Sequence, residues 1–319
     1  MNRRLLQRFQ SLIALAVMFV ALSFASSKFL TVDNGLNVLR QISINLCLSI
    51  GMTLVILSGG IDLSVGSVLA LSGAVAAGFL KSGCTMPALG VMLQFTLFGA
   101  ILTSLAVGLL FGAFNGLVIT RFRLPPFVAT LGTLSIARGF TQLWTKGYPI
   151  TGLGPGFDFL GSGHFLGVPM PVWISAMLVL LFSVVTRQTV FGRYLYAMGG
   201  NEQAARLSGI NLNRTKVSVY ALGGLMAGVA GLLLTARLDS ATPSAGIGYE
   251  LDSIAAVVIG GTSLSGGRGS ILGTVLGCLI IGILNNGLVL LNVLPFWQQV
   301  IKGFVILAAV ALDRVSARN

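Results

Sequence analysis

The chain has 319 residues, of which 55% are hydrophobic and only 9% are charged. A water-soluble protein needs about 25% charged residues to cover its surface, so this composition excludes a soluble globular fold. Apolar segments of about 20 residues recur along nearly the whole chain, and this pattern predicts an all-α polytopic membrane protein. The 42 glycines are typical of helices that pack closely or are interrupted in lipid.

The apolar runs predict about ten membrane-spanning segments. The fourth is long for one crossing and is expected to tilt, kink or begin outside the core, and the eighth is short enough to be a partial helix. The first run follows the basic sequence MNRRLLQR and resembles a secretory signal, but the spans that follow favour a retained helix. The predicted spans lie near 9–27, 41–58, 64–80, 89–119, 126–144, 171–186, 217–236, 251–262, 269–291 and 296–312.

The basic residues indicate the orientation of these spans. The net charge is +12, but the Lys and Arg residues are scattered between apolar runs, so we expect membrane lipid and no nucleic acid as a partner. An even number of spans places both termini on one side. Most of the 20 basic residues fall on that side, which the positive-inside rule makes the cytoplasm.

The first interruption is the sequence SGGIDLSVGS, between the second and third predicted spans. Asp62 is one of only eight acidic residues, and an aspartate at the centre of a membrane helix costs about 3 kcal/mol. We expect Gly59 and Gly60 to end the second span. Asp62 or Ser64 is then expected to cap the third, because a carboxylate there satisfies free N–H groups. Sugar binding and ion coupling are the alternative roles of Asp62.

A related sequence, IGGTSLSGGRGS, predicts a second break with an uncharged cap: Gly261, with Ser263 or Ser265. A further similarity joins residues 99–118 to residues 269–289. The two similarities join residues at different sequence separations, so they cannot be aligned together unless one half contains an insertion of the size of a helix. With that insertion, they predict two pseudo-repeated halves. Chance similarity between Gly- and Leu-rich spans is the alternative.

Residues 187–217 form the largest predicted cytoplasmic segment, and they contain the signature of a short helix at about 201–209. Two turns of helix are not stable alone, so this helix is expected to dock on another protein or on the chain's own helix ends. Its apolar face is Ala204, Ala205 and Leu207. The signature is a Gly199-Gly200 break, Asn201 as cap, Glu202 in the first turn, Arg206 in the last turn and Gly209 as the left-handed end.

Three motifs, GGIDLSVGS, GGNEQAARLSGIN and YELDSIAAVVIGGTSLSGGRGS, resemble the permease subunits of bacterial ABC sugar importers of the ribose/xylose type. The similarity spans Leu30 to Asp313. It implies a multi-pass protein of the inner membrane that pairs with a second permease subunit, a cytoplasmic ABC ATPase and a periplasmic sugar-binding protein. It also implies that the short helix is the coupling helix, with an ATPase contact formed by Gly200, Asn201, Glu202, Ala204, Ala205, Gly209 and Ile210.

The chain has no GxxxxGK[ST] motif, so ATP and Mg²⁺ are expected on the partner ATPase, with no cofactor, metal or catalytic residue in this chain. A sugar pathway needs hydrogen-bonding groups and an aromatic surface. The same side chains could instead hold helices together or simply pack. The in-membrane candidates are Asn115, Phe127, Thr130, Thr133, Asn285 and Asn286.

Other functions have weaker support in the sequence. An ion-coupled transporter needs several intramembrane acids, and Asp62 is the one candidate well inside a span boundary. A permease for a branched-chain amino acid or a nucleoside is the second alternative, although the spans contain no evident charge pair for an amino acid. Lys302, in the last span, is expected to extend to the membrane interface. The particular sugar, and homodimer or heterodimer pairing, stay open.

Overall fold

The chain is mostly helical in a computed structural model, which describes residues 3–86 and 91–318. Within these residues six short strands form three antiparallel pairs, β1 (Cys84–Met86) with β2 (Val91–Leu93), β3 (Ile150–Thr151) with β6 (Ser240–Ala241), and β4 (His164–Phe165) with β5 (Val168–Pro169). The described helices are α1 (Arg3–Ala25), α2 (Val32–Leu57), α3 (Val65–Ser82), α4 (Leu97–Phe122), α5 (Pro126–Thr145), α6 (Pro155–Ser162), α7 (Met170–Gln188), α8 (Val190–Gly200), α9 (Glu202–Leu207), α10 (Leu212–Leu238), α11 (Tyr249–Ile259), α12 (Ile271–Leu290) and α13 (Pro295–Arg318).

Six of the described helices are long and apolar enough to cross a membrane, namely α2, α3, α4, α7, α10 and α12. They confirm the predicted all-α polytopic membrane protein. The other four predicted spans also coincide with helices, namely α1, α5, α11 and α13. The total of ten crossings stays a prediction, as does the side on which the termini lie.

The fourth predicted span was wrong in its first part. Residues 89–90 lie outside the described residues, β2 follows them, and α4 begins only at Leu97. Thr96 is the N-cap of α4, and its Oγ1 accepts a hydrogen bond from the amide of Gly99 at 3.3 Å. The long apolar run is therefore shared between a hairpin strand and a capped helix.

Two compact units make up the described chain, and each is assembled from segments distant in sequence. The first unit falls within Met1–Gly60, Ser175–Leu212 and Leu251–Asn319, and the second within Ile61–Ile174 and Asn213–Glu250. Neither unit corresponds to one consecutive half of the chain. The two pseudo-repeated halves therefore stay a prediction.

In the second unit, α3 packs against α4 and α5, and α4 packs against α10 through glycines. A Cβ added to Gly108 would overlap the carbonyl oxygen of Gly224, and one added to Gly112 would overlap that of Tyr220. Such close approach maximises van der Waals contact, which is a main source of helix association in lipid. The Ser104 hydroxyl adds a hydrogen bond to the Gly228 carbonyl oxygen at 3.0 Å.

In the first unit, α12 packs against α1, α2 and α11. Gly277 of α12 has no room for a Cβ because the carbonyl oxygen of Ala256 in α11 occupies that space. The buried hydroxyls of Thr53 in α2 and Thr274 in α12 are hydrogen-bonded at 2.6 Å. Small residues and short polar side chains thus bring these helices together, as is common in membrane bundles.

Candidate functional site

A short helix, α9, lies at the position where the sequence predicts one, and local interactions define both of its ends. The Asn201 Oδ1 accepts a hydrogen bond from the Ala204 amide at 3.0 Å. At the other end Gly209 has a φ of +83°, and the Ile210 amide donates to the Ala205 carbonyl oxygen at 3.2 Å. This is the geometry of a Schellman C-terminus.

The predicted break at Gly199-Gly200 was wrong by one residue. Helix α8 continues through both glycines, and the chain leaves the helix at Asn201, which has an extended φ of −156°. The side chain of Asn201 can cap α9 because the backbone there is extended. Gly199 instead allows α8 to pack closely, because a Cβ added there would overlap the Leu57 carbonyl oxygen.

The sides of α9 differ from the predicted arrangement. Ala205 is 4% exposed and packs with Met198 and Leu212, with the partly buried Ile210 against them. Ala205 and Ile210 therefore hold α9 onto the chain itself, and the predicted outward apolar face was wrong for the buried Ala205. Leu207 lies about 200° around the helix from Ala205, and its side chain is 89% exposed.

The other predicted contact residues of this segment remain on the surface. Each of them is exposed, and they adjoin Leu207 along one turn of helix and its caps: Gly200, Asn201, Glu202, Ala204 and Gly209. The exposed surface of α9 is thus a large apolar side chain surrounded by polar groups and by main chain. Helical periodicity alone could have separated Leu207 from Ala205.

Asp62 lies in a turn before α3 and does not cap it, contrary to the prediction. Its Oδ1 accepts hydrogen bonds from the Ser64 amide at 2.8 Å and from the Ser64 hydroxyl at 2.6 Å. Ser64 is the N-cap residue, but within the described chain its side chain makes no capping bond. The reason is that Ser64 already has a helical backbone, with φ −81° and ψ −12°, and its hydroxyl donates to Asp62 instead.

Asp62 and Ser64 belong to a buried polar network that includes one predicted pathway residue. The Asn115 Nδ2 of α4 donates to the Ser64 Oγ at 2.9 Å, and Asp62 is only 1% exposed. Among the described residues, the Asn115 Oδ1 and the Tyr220 hydroxyl have no hydrogen-bond partner. Asn115 therefore links α4 to the start of α3, and its place in a sugar pathway stays a prediction.

The candidates on α5 divide into buried and exposed groups. The Thr130 hydroxyl donates to the Pro126 carbonyl oxygen at 2.9 Å and approaches that of Ile61 at 3.4 Å. Thr133 is buried, whereas Phe127 is 54% exposed. Of the predicted pathway residues in the second unit, Phe127 is thus the exposed one.

Asn285 and Asn286 of α12 have structural partners in the first unit. Asn286 and Asn34 of α2 exchange two amide hydrogen bonds, at 2.8 and 3.1 Å. Asn285 approaches Asp252 of α11 at 3.5 Å, and the same carboxylate forms an ion pair with Lys302 of α13 at 3.0 Å. Lys302 is therefore paired with Asp252, and the prediction that it extends to the membrane interface was wrong. Asp252 in the eighth predicted span and Lys302 in the tenth carry opposite charges, and this was the signal that could have indicated the pair.

The break after α11 has a turn like the one after α2, but the helix that follows it is not capped by the predicted residues. Gly261 ends α11 with a φ of +86°, and the Ser263 Oγ accepts from the Ser265 amide at 3.3 Å. However, α12 begins only at Ile271, and its cap is Ser270, whose Oγ accepts from the Gly273 amide at 3.1 Å. Ser263 and Ser265 were therefore wrong as caps, because the loop is longer than the sequence similarity indicated.

Glycines end α2 as predicted. Gly59 has a φ of +81°, and the Gly60 amide donates to the Val55 carbonyl oxygen at 3.0 Å. Gly261 and Thr262 end α11 in the same way, with the Thr262 amide bonded to Val257 at 3.1 Å. Both helices thus end in a left-handed glycine.

Comparison with known proteins agrees with this architecture. The sequence profile described as "Branched-chain amino acid transport system / permease component" matches residues 34–310. The ribose import permease protein of Bacillus subtilis is 50% identical over 97% of this chain and 93% of its own length. The xylose transport system permease protein of Haemophilus influenzae is 38% identical, covering 97% and 96%. The D-allose transport system permease protein of Escherichia coli is 40% identical, covering 93% and 88%. No solved structure matches the chain.

The apolar helices and these matches define a multi-pass permease of the bacterial inner membrane, which is a transporter subunit. The chain belongs to the family of transport-system permease components whose profile it matches. Among the described residues, no group of three His, Cys, Asp or Glu side chains could hold a metal ion.

Proposed function

We propose that the chain is the permease subunit of an ATP-driven importer that moves a monosaccharide across the bacterial inner membrane. The observation that carries this proposal is the similarity over nearly the full length to import permeases named for ribose, xylose and allose. The first of these relatives is 50% identical to the chain. The match covers 97% of this chain and 93% of that relative.

A sugar fits this chain better than the branched-chain amino acid in the family's description. An amino-acid site must provide groups for both a carboxylate and an ammonium. The ion pair between Lys302 and Asp252 neutralises itself and is supported by Asn285. A sugar needs only hydrogen-bonding groups and an apolar or aromatic surface, for which Phe127 is an exposed candidate.

The ATPase contact is the exposed side of α9. Leu207 is the apolar centre of this surface, and an 89% exposed leucine on a cytoplasmic segment gains by entering a pocket of a partner. Glu202, Ala204 and Gly209 surround it, and Asn201 holds the first turn in place. Ala205 and Ile210 contribute indirectly, because they fix α9 on the permease.

The transport cycle is an alternation between two arrangements of the spans. ATP and Mg²⁺ bind to the partner ATPase, and closure of the ATPase subunits moves the docked α9 helices. A partner can shift such an equilibrium only as far as it binds one arrangement better than the other. Ten crossings with cytoplasmic termini place α9 on the ATPase side, and a periplasmic binding protein delivers the sugar from the opposite side. A second permease subunit completes the pathway, and the two similar breaks are compatible with a duplicated ancestor.

Reconstitution tests this proposal. The permease is co-expressed with its ATPase, purified as a complex and placed in lipid nanodiscs with the cognate binding protein. We expect the loaded binding protein to stimulate ATP hydrolysis with ribose, xylose or allose and not with leucine. Stimulation by leucine alone contradicts the sugar assignment. Failure of the permease to bind any ABC ATPase contradicts the proposed importer itself.

A further inference from the structure

Three Gly-Gly pairs, far apart in sequence, lie side by side in the first unit. They are Gly59-Gly60 after α2, Gly199-Gly200 at the end of α8, and Gly266-Gly267 in the loop before α12. We call the group formed by these three pairs the glycine junction. The amide of Gly267 donates a hydrogen bond to the Leu57 carbonyl oxygen at 3.0 Å, which ties the loop to the last turn of α2.

The main chains of the glycine junction touch each other directly. A Cβ added to Gly199 would overlap the Leu57 carbonyl oxygen and the Gly267 amide nitrogen. A Cβ on Gly266 would lie 2.8 Å from the Gly199 carbonyl oxygen and 3.0 Å from the Gly59 amide nitrogen. Since real Cβ atoms do not approach main chain so closely, an alanine at Gly199 must separate these segments. The close approach explains why position 199 inside α8 is a glycine, although glycine there costs helix stability.

A second contact supports the same connection. The Tyr196 hydroxyl, one turn before the glycines of α8, donates to the Gly269 carbonyl oxygen at 3.0 Å. Gly269 immediately precedes Ser270, the cap of α12. Helix α8 is therefore attached at one side to the end of α2 and at the other to the start of α12.

This position matters because α8 leads into α9 with Asn201 as the one residue between the two helices. Side chains can absorb a displacement by changing rotamer, but main chain in direct contact cannot. A movement imposed on α9 must therefore displace the end of α2 and the loop before α12, or break the junction. Both are places where a span is interrupted, so both can move without disrupting a continuous helix.

We propose that the glycine junction transmits the movement of α9 to the interrupted ends of α2 and α12. The proposal rests on the proposed function of α9 as the ATPase contact. The junction residues are positioning residues that touch neither ATP nor sugar. Replacement of Gly199, which is not one of the predicted ATPase-contact residues, should therefore separate ATPase binding from the response to substrate.

The test compares Gly199→Ala with Gly35→Ala in the complete importer in nanodiscs. Gly35 lies in the first turn of α2, and nothing lies within 4 Å of a Cβ added there. We expect Gly199→Ala to bind the ATPase like the wild type and to keep basal ATP hydrolysis. Stimulation by the loaded binding protein should fall about tenfold, as for loss of a typical coupling energy. Gly35→Ala should behave like the wild type in each assay.

Tyr196→Phe provides a second measurement if the alanine at Gly199 prevents folding. It removes one hydroxyl without adding volume, and we expect stimulated hydrolysis to fall about fivefold at unchanged ATPase affinity. The proposal is overturned if the variant that folds keeps wild-type stimulation. It is also overturned if stimulation falls only in proportion to ATPase binding, because the junction would then merely shape α9. A wild-type complex that fails to form would instead contradict the proposed function.

Discussion

Leu207→Ala is the most direct perturbation of the proposed ATPase contact. The Leu207 side chain is 89% exposed on α9, whereas the neighbouring Ala205 is buried against the chain. Truncation of Leu207 therefore removes little packing within the permease itself. The thermal unfolding midpoint of the isolated permease should stay at its wild-type value.

The size of the effect on binding follows from the exposed side chain. Leucine has three more carbon atoms than alanine, and each buried methylene is worth about 0.8 kcal/mol. Burial of the whole side chain in a partner pocket then contributes about 2 kcal/mol. At 1.4 kcal/mol per factor of ten, Leu207→Ala should weaken ATPase binding about 30-fold.

Biolayer interferometry with the immobilised permease in nanodiscs measures the dissociation constant for the ATPase. Leu110→Ala is the matched control, because Leu110 is a 65% exposed leucine on α4, a span of the second unit. It should leave the dissociation constant unchanged, and Leu207→Met should retain most of the affinity because the volume is kept. A change of less than about threefold for Leu207→Ala would refute the assignment of this side chain.

Three further predictions test contacts within the permease. Lys302→Met leaves the Asp252 carboxylate without its cation and should cost about 3 kcal/mol of stability, measured as a lower unfolding midpoint. Adding Asp252→Asn to the same chain should restore the midpoint. An unchanged midpoint in Lys302→Met would show that the pair is dispensable. Ala205→Leu overpacks the inner side of α9 at a cost of about 1–3 kcal/mol, so hydrogen exchange of the α9 amides should accelerate. Unchanged exchange would contradict the burial of Ala205 against the chain. Asp62→Asn keeps an acceptor for both Ser64 donors, so this variant should import sugar normally. Asp62→Ala removes the acceptor and should lose about 1–3 kcal/mol of stability. Loss of import in the asparagine variant would favour ion coupling.

The sequence predicted the parts of the fold that depend on local chemistry. Lipid requires apolar helices, so apolar runs located each of the long helices. The Asn201 cap and the left-handed Gly209 are likewise decided within a few residues, and both were predicted correctly. The start of α4 was missed because an apolar strand and an apolar helix have the same composition.

Contacts between distant segments explain most of the remaining differences. The partners of Asn286 and Lys302 are Asn34 and Asp252, and neither pairing follows from sequence spacing. Gly199 was interpreted as a helix break, whereas its role is to allow α8 to approach Leu57. A contact between segments so distant in sequence cannot be predicted from local sequence patterns.

Uptake by proteoliposomes tests the central claim most directly. The permease, its ATPase and the binding protein are reconstituted with ATP on the ATPase side, and accumulation of radiolabelled ribose, xylose, allose and leucine is measured. We expect accumulation of at least one of the three sugars, and this accumulation should require both ATP hydrolysis and the binding protein. Accumulation of leucine alone, or sugar uptake that follows an ion gradient without ATP, would contradict it.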